Sequence, residues 1–392
     1  MEHIKLLSQL SIIQTYLFFR LGISYLYYGE YMMLLKKIIS LWLIVLAPIY
    51  CCLSMDLESE ILPDYIAPLK IAHGTHAEQG NARPSMEDQH FPSEDEESMI
   101  TDKIHFFGIY DGHRGVRAAY FTANYLHRNI LWQLQSTDIN ADTFLIAYKL
   151  VDNQFITNHP KNPSGTTAVT ALFKKTKLWI ANVGDAQAVA CFDGTHAECV
   201  TELHSPCNQT ELERILNQGG TVKMYDKNLV YIKTRETIFT PSDENTQEAL
   251  AEYKEEQTNA FLESYSPDGE GIIINKFHPV GRIITNVQLS PSRGIGDVES
   301  KPFCSNTPFV QSFEITQPGF IILACDGLWD VMSYQAAVNI VLRELMLKGL
   351  TIDTVTKDVA NSIAQKLVAK ALEIWDHDNV TATIIFFNPI QA

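Results

Sequence analysis

The chain has 392 residues, 46% hydrophobic and 19% charged, enough apolar surface for one large core or two ordinary ones. Its formal net charge of -16 excludes nonspecific nucleic-acid binding, which needs a basic footprint. The same acidity suits a protein that holds cations with carboxylates.

Residues 6–19 and 21–35 are mostly apolar, interrupted by Arg20 and Glu30. Lys36 and Lys37 then precede the uncharged run 38–55, which is near the length that spans a bilayer. A membrane anchor within 1–55 is therefore expected. A cleaved signal peptide is one alternative, although its charged region would start late; an upstream start or a buried helix is the other. Residues 56–68 are acidic, contain Pro63 and Pro68, and read as a linker to a domain over 69–392. The lysines would place that domain outside by the positive-inside rule. Against this, the seven cysteines show no CxxC pair and read as free, mostly buried thiols. Asn379-Val-Thr would also be a glycosylation acceptor in a lumen. The expectation is a membrane protein with its catalytic domain in the cytosol.

Along the domain, short apolar runs alternate with longer helical ones. HFFGIY at 105–110 reads as a strand, and 116–134 has helical spacing. LWIANV at 178–183 is a second strand. Residues 233–280 are polar, with ten acidic residues against four basic, and read as an insertion. Within it, Thr240-Pro-Ser-Asp243-Glu244 looks like a helix start for 243–263. FIILAC at 320–325 is a strand, helices follow at 335–348 and 354–375, and TATIIFF at 381–387 is the last strand. Val355, Val359, Ile363 and Leu367 form one apolar stripe.

Four acidic clusters stand where strands end or begin: Arg83-Pro-Ser-Met-Glu87-Asp88, Asp111-Gly112-His113, Asp326-Gly327-Leu328-Trp329-Asp330 and Asp378-Asn379. Converging carboxylates repel unless a cation lies between them, and hard oxygen ligands select Mg²⁺ or Mn²⁺. Gly112 and Gly327 would let the backbone turn sharply and approach a metal closely.

Taken together and in order, SMEDQH, FFGIYDGHRG, SGTTAV, ANVGDA, LSPSRGIGD, FIILACDGLWDVMS and DHDNVTATI resemble the type 2C protein phosphatases, the metal-dependent Ser/Thr class. The blocks run from about residue 70 to the C-terminus. The resemblance implies an α+β fold, a four-layer α-β-β-α sandwich of two antiparallel sheets flanked by helices. It implies hydrolysis of phosphoserine and phosphothreonine in proteins by a water activated between two Mn²⁺ or Mg²⁺ ions. Asp111 would bridge the ions and Gly112 would give its carbonyl to one. Asp326 and Asp378 would complete one site, and Glu87 would serve the other, directly or through water. Asp88 would lie behind them, and Asp185 and Asp330 would hold a weaker third ion. Arg83 would bind the substrate phosphate and His113 would protonate the leaving oxygen. Gly219-Gly220-Thr221-Val222 would start a flap beside the metals, ending at 289–297. The expected partners are phosphoprotein substrates, the membrane through the N-terminal segment, and no nucleic acid; the expected state is a monomer.

The chain departs from the family pattern at Ala186 and Gln187, where Ser-Arg is usual, which points to altered packing or surface contacts. It departs also at Pro291 and at His377, which should face solvent. A catalytically dead relative is one rival reading, disfavoured by the intact ligand set. A nuclease is the other, disfavoured by the absence of a basic stripe.

Overall fold

The computed structural model describes residues 69–92, 98–101, 104–134, 138–225, 236–239, 280–284 and 288–389. The chain divides into two units, Met1–Ile66 and Ala67–Ala392, and all the described residues belong to the second. The apolar segment 1–55, the linker 56–68, and most of the expected insertion, with its helix at 243–263, lie outside the described residues. The expectation of a membrane protein does not stand. Among the described residues no helix is long and apolar enough to cross a membrane, and the membrane location with a cytosolic catalytic domain is withdrawn.

In chain order the elements begin with β1 (Leu69–Glu78), β2 (Gln89–Phe91), β3 (Met99–Thr101), β4 (Ile104–Tyr110) and β5 (Gly112–His113). Two helices follow, α1 (Arg117–Leu134) and α2 (Ala141–Asn158). Next come β6 (Gly165–Thr166), β7 (Ala168–Lys174), β8 (Lys177–Val183), β9 (Gln187–Cys191), β10 (Glu198–Cys199) and the short α3 (Gln209–Asn217). Then follow β11 (Thr221–Tyr225), β12 (Glu236–Phe239), β13 (Val280–Ile284), β14 (Gln288–Leu289), β15 (Ile295–Gly296), β16 (Phe309–Glu314) and β17 (Gly319–Ala324). The chain closes with α4 (Asp326–Trp329), α5 (Tyr334–Leu347), α6 (Lys357–Ile374) and β18 (Val380–Pro389).

Two antiparallel sheets carry the fold. One has the order β1-β18-β17-β9-β10; the other runs β16-β8-β7-β4-β2, with β3 on β4. The alternation of side chains along each strand decides what lies on each face. Phe107 and Ile109 of β4 and Val169 and Ala171 of β7 meet Ile321 and Leu323 of β17 and Ile385 of β18 in the layer between the sheets. The opposite face of β17 and β18, with Phe320, Ile322 and Ile384, packs against α5 and α6 through Val338, Val341, Ile363 and Leu367. The opposite face of β4 and β7, with Phe106, Tyr110 and Leu172, packs against α1 and α2 through Leu126, Ile130, Phe144 and Tyr148. Three apolar layers between four structural layers make the α-β-β-α sandwich.

Apart from the helix expected at 243–263, which lies outside the described residues, the strands and helices expected from the sequence appear with ends shifted by at most three residues. α2 was not expected, although Asn140 caps it through the amide of Thr143, and Phe144, Ala147, Tyr148, Val151 and Phe155 form its buried stripe. The five described cysteines are free; Cys191, Cys304 and Cys325 are buried.

Candidate active site

The acidic clusters meet because the strands bearing them end together. β4 is buried along nearly its whole length and delivers Asp111 at its end. β17 does the same for Asp326, which opens α4. Asp378 stands two residues before β18, and Asp185 lies in the turn from β8 to β9. Carboxyl oxygens of Asp111 and Asp326 lie within 4.8 Å of each other, with the Cys325 sulfur in the same cluster.

Burial, first, and then the neighbouring carboxylates push Asp111 and Asp326 well above the usual aspartate range. Asp326, Asp88, Asp185 and Asp378 all raise Asp111, and Asp330 raises both Asp185 and Asp326. Burial also pushes Asp88 and Asp185 up to about 6. Asp88 is buried and accepts a 2.7 Å hydrogen bond from the Thr381 hydroxyl. A group of crowded carboxyls is a site suited to a hard divalent cation, and the carboxylate oxygens fit Mn²⁺ or Mg²⁺; the Cys325 thiol, raised well above its ordinary range, donates instead to the Asn379 carbonyl at 3.4 Å.

The glycines work by packing rather than by handedness. Neither Gly112 nor Gly327 has a positive φ. A Cβ on Gly112 would lie 2.3 Å from the Glu87 carbonyl oxygen, and one on Gly327 would lie 2.1 Å from that of Asn379. Each lets two acidic segments touch through their backbones. Glu87 thus borders the Asp111 loop, and Asp378 borders α4. The SGTTAV block also fixes the Asp111 loop through its backbone. The Thr167 amide and the Thr166 hydroxyl both donate to the Asp111 carbonyl, at 2.9 and 3.0 Å.

Arg83 is exposed and its Nη2 donates to Asp378 Oδ2 at 2.6 Å, so it stands at the edge of the carboxylate group. The His113 Nε2 lies 2.7 Å from Oδ1 of Asp297, which is fully buried. Burial alone would lower the His113 pKa, but Asp297 outweighs it and holds the imidazole above its ordinary value. Asp297, the last residue of LSPSRGIGD, was not among the expected site residues. The signal was present in a quoted motif, but only the fold shows which side chain it meets.

The departures also find places. Ala186 and Gln187 are buried, and Gln187 Oε1 accepts from the Tyr334 hydroxyl at 3.0 Å. The change is one of packing against α5. His377 is exposed, beside Asp376 at 3.1 Å.

The sequence model for "Protein phosphatase 2C" matches residues 72–235 and 268–380, well over half of the chain. The chain belongs to the protein phosphatase 2C family. Among its relatives, protein phosphatase 1F of Mus musculus is 27% identical over 313 residues, covering 78% of this chain and 55% of that protein. The chain thus spans little more than half the length of that relative. Probable protein phosphatase 2C 44 of Oryza sativa subsp. japonica is 30% identical over 326 residues, covering 81% and 78%. Among solved structures, a serine-threonine phosphatase 2C from Toxoplasma gondii superposes with a TM-score of 0.56 at 22% identity, covering 83% of this chain and 98% of that one. That likeness supports the phosphatase 2C sandwich as the fold.

Proposed function

We propose that this chain hydrolyses phosphoserine and phosphothreonine in proteins, using two Mn²⁺ or Mg²⁺ ions. The observation that carries the reading is the close approach of Asp111 and Asp326, two carboxyls raised well above the usual range by burial first and then by the surrounding carboxylates. Family membership and the names of the relatives support the substrate class.

In this reading Asp111, the Gly112 carbonyl, Asp326, Asp378 and Glu87 would hold the two ions, with Asp111 serving both and Glu87 one, and Asp185 and Asp330 would hold a weaker third ion. When bound, the ions supply a water acidic enough to attack phosphorus near neutral pH. Asp88 orders the ligands from behind through Thr381. Arg83 offers its guanidinium fork to two phosphoryl oxygens, exchanging Asp378 for substrate. His113 holds a proton for the departing serine or threonine oxygen. No thiol chemistry is needed: burial pushes Cys304 and Cys325 well above the ordinary thiol range, so neither is a thiolate nucleophile. The catalytic domain is assigned to 69–392, with an insertion at about 233–280; the family match, which leaves 236–267 out, supports this.

The test is phosphate release from a phosphothreonine peptide by the full chain. Turnover should require Mn²⁺ or Mg²⁺ and vanish in excess chelator. Full activity in chelator would sink the metal reading.

A further inference from the structure

We propose that Asp297 is a positioning residue for His113, fixing the imidazole that protonates the leaving oxygen. The proposal rests on the reading of His113 as that acid. The two residues are 184 positions apart and come from separate loops, one ending β5 and one ending β15.

The aspartate is held from every side. Its φ of 50° is left-handed, a conformation Asp and Asn adopt more readily than most residues. Its amide donates to the Ser164 carbonyl at 3.2 Å, and its carbonyl accepts from the Ser300 amide at 2.8 Å. The preceding Gly296 amide donates to Oδ1 of the buried Asp152 on α2 at 2.7 Å. Asp152 Oδ2 in turn takes the Asn306 side-chain amide at 2.6 Å and lies 3.3 Å from Lys301 Nζ. The Asp297 carboxylate lies over Gly165, where a Cβ would come within 2.0 Å of Oδ2. Oδ2 faces the Cys304 thiol at 3.8 Å, and Oδ1 is committed to His113 at 2.7 Å. The next pair outward repeats the pattern, with Arg114 Nη2 donating to Glu299. Two successive charged pairs thus clasp the 112–115 loop to the 296–300 loop.

A buried carboxylate is costly unless its hydrogen bonds compensate for lost water. Here the strongest partner is one imidazole nitrogen. Binding Nε2 fixes the ring plane and leaves Nδ1 to serve the leaving oxygen. In the step itself the water oxygen bonds to phosphorus and the bond from phosphorus to the serine or threonine oxygen breaks. The His113 proton goes to that oxygen, the attacking water's proton goes to solvent, and solvent reprotonates the ring. Asp297 gains and loses nothing. It is a holder, and its absence should matter only where protonation of the leaving group matters.

The test compares full-length Asp297→Asn, His113→Ala, the double variant and Glu299→Gln, with saturating Mn²⁺, on a phosphothreonine peptide and on p-nitrophenyl phosphate. Asparagine tolerates the left-handed backbone, and retained aryl phosphatase turnover reports the fold. We expect Asp297→Asn to lower kcat on the peptide by about tenfold or more, with KM and the aryl phosphate rate within about threefold of the parent. The double variant should be no worse on the peptide than His113→Ala alone, and Glu299→Gln should leave the ratio of the two rates unchanged. If His113→Ala leaves that ratio unaltered, the acid reading itself fails. If His113→Ala shifts it and Asp297→Asn does not, or Asp297→Asn slows both substrates equally, only the positioning role is overturned. A shift of the same size in Glu299→Gln would assign the effect to loop closure instead of to the Asp297 carboxylate, and overturn it as well.

Discussion

Asp111 and Asp326 each follow a strand whose apolar residues are buried on both sheet faces, and their carboxyl oxygens lie within 4.8 Å of each other. In the proposed function Asp111 would serve both ions, whereas Glu87 would serve one. Asp111→Asn should therefore cost at least about a hundredfold in turnover, the scale of losing a main catalytic element, and Glu87→Gln distinctly less. Steady-state rates for both variants check this, and parent-like turnover in Asp111→Asn would refute the bridging role. At this scale much was legible in advance. The aspartates singled out from the sequence are near enough to shift one another's pKa, and the Glu87 carbonyl borders Gly112; Asp111 and Asp326 were the most legible because each follows a buried apolar strand. What local pattern does not carry is pairing between loops far apart in sequence. Asp297 and its support Asp152 look like ordinary loop and helix aspartates until the fold brings them to His113 and Gly296.

α6 shows how an element's pattern translates into packing. Ile363, Ala364, Leu367, Val368 and Ala371 are buried against β1 and β18, a broader stripe than the one read from Val355, Val359, Ile363 and Leu367. Val355 precedes the helix and is buried there instead. Leu367→Ala should destabilise the fold by about 2–5 kcal/mol, through lost burial and the cavity left behind. A lower denaturation midpoint with unchanged turnover per folded molecule is the expected result; an unchanged midpoint would contradict the packing. The short α3 was missed for a physical reason. Its apolar stripe is only Leu212, Ile215 and Leu216, and its buried Glu211 breaks the amphipathic pattern. That carboxylate is satisfied by Arg293 at 2.6 Å and Ser292 at 2.7 Å from outside the helix, and by Arg214 at 2.9 Å from within it. Burial would raise it, yet these partners hold it at about 2. Arg293 of LSPSRGIGD thus locks α3 to the loop that carries Asp297.

At the scale of the molecule, the strand order is what the sequence could not show unaided. β1 pairs with β18 at the far end of the domain, with His73 opposite Ile385, and no local periodicity encodes so distant a partner. The resemblance to phosphatase 2C blocks supplied the two-sheet arrangement, and the three apolar layers explain why it is stable. That arrangement gathers ends of both sheets at one place, so the metal-binding property belongs to the assembled sandwich. The raised carboxyls make it depend on pH. Asp88 and Asp185, at about 6, and Asp111 and Asp326, raised well above the usual aspartate range, keep protons where an ordinary aspartate has lost them. An incoming cation must displace those protons, so binding should weaken as pH falls and release protons as it occurs. The decisive measurement is a calorimetric Mn²⁺ titration of the full chain, beside Asp111→Asn and Asp326→Asn, at about pH 7.5 and about pH 5.5. The account predicts saturable binding at the higher pH, weaker by about tenfold or more at the lower one, and lost or greatly reduced in both variants. Binding of equal strength and stoichiometry in the parent and both variants would contradict it.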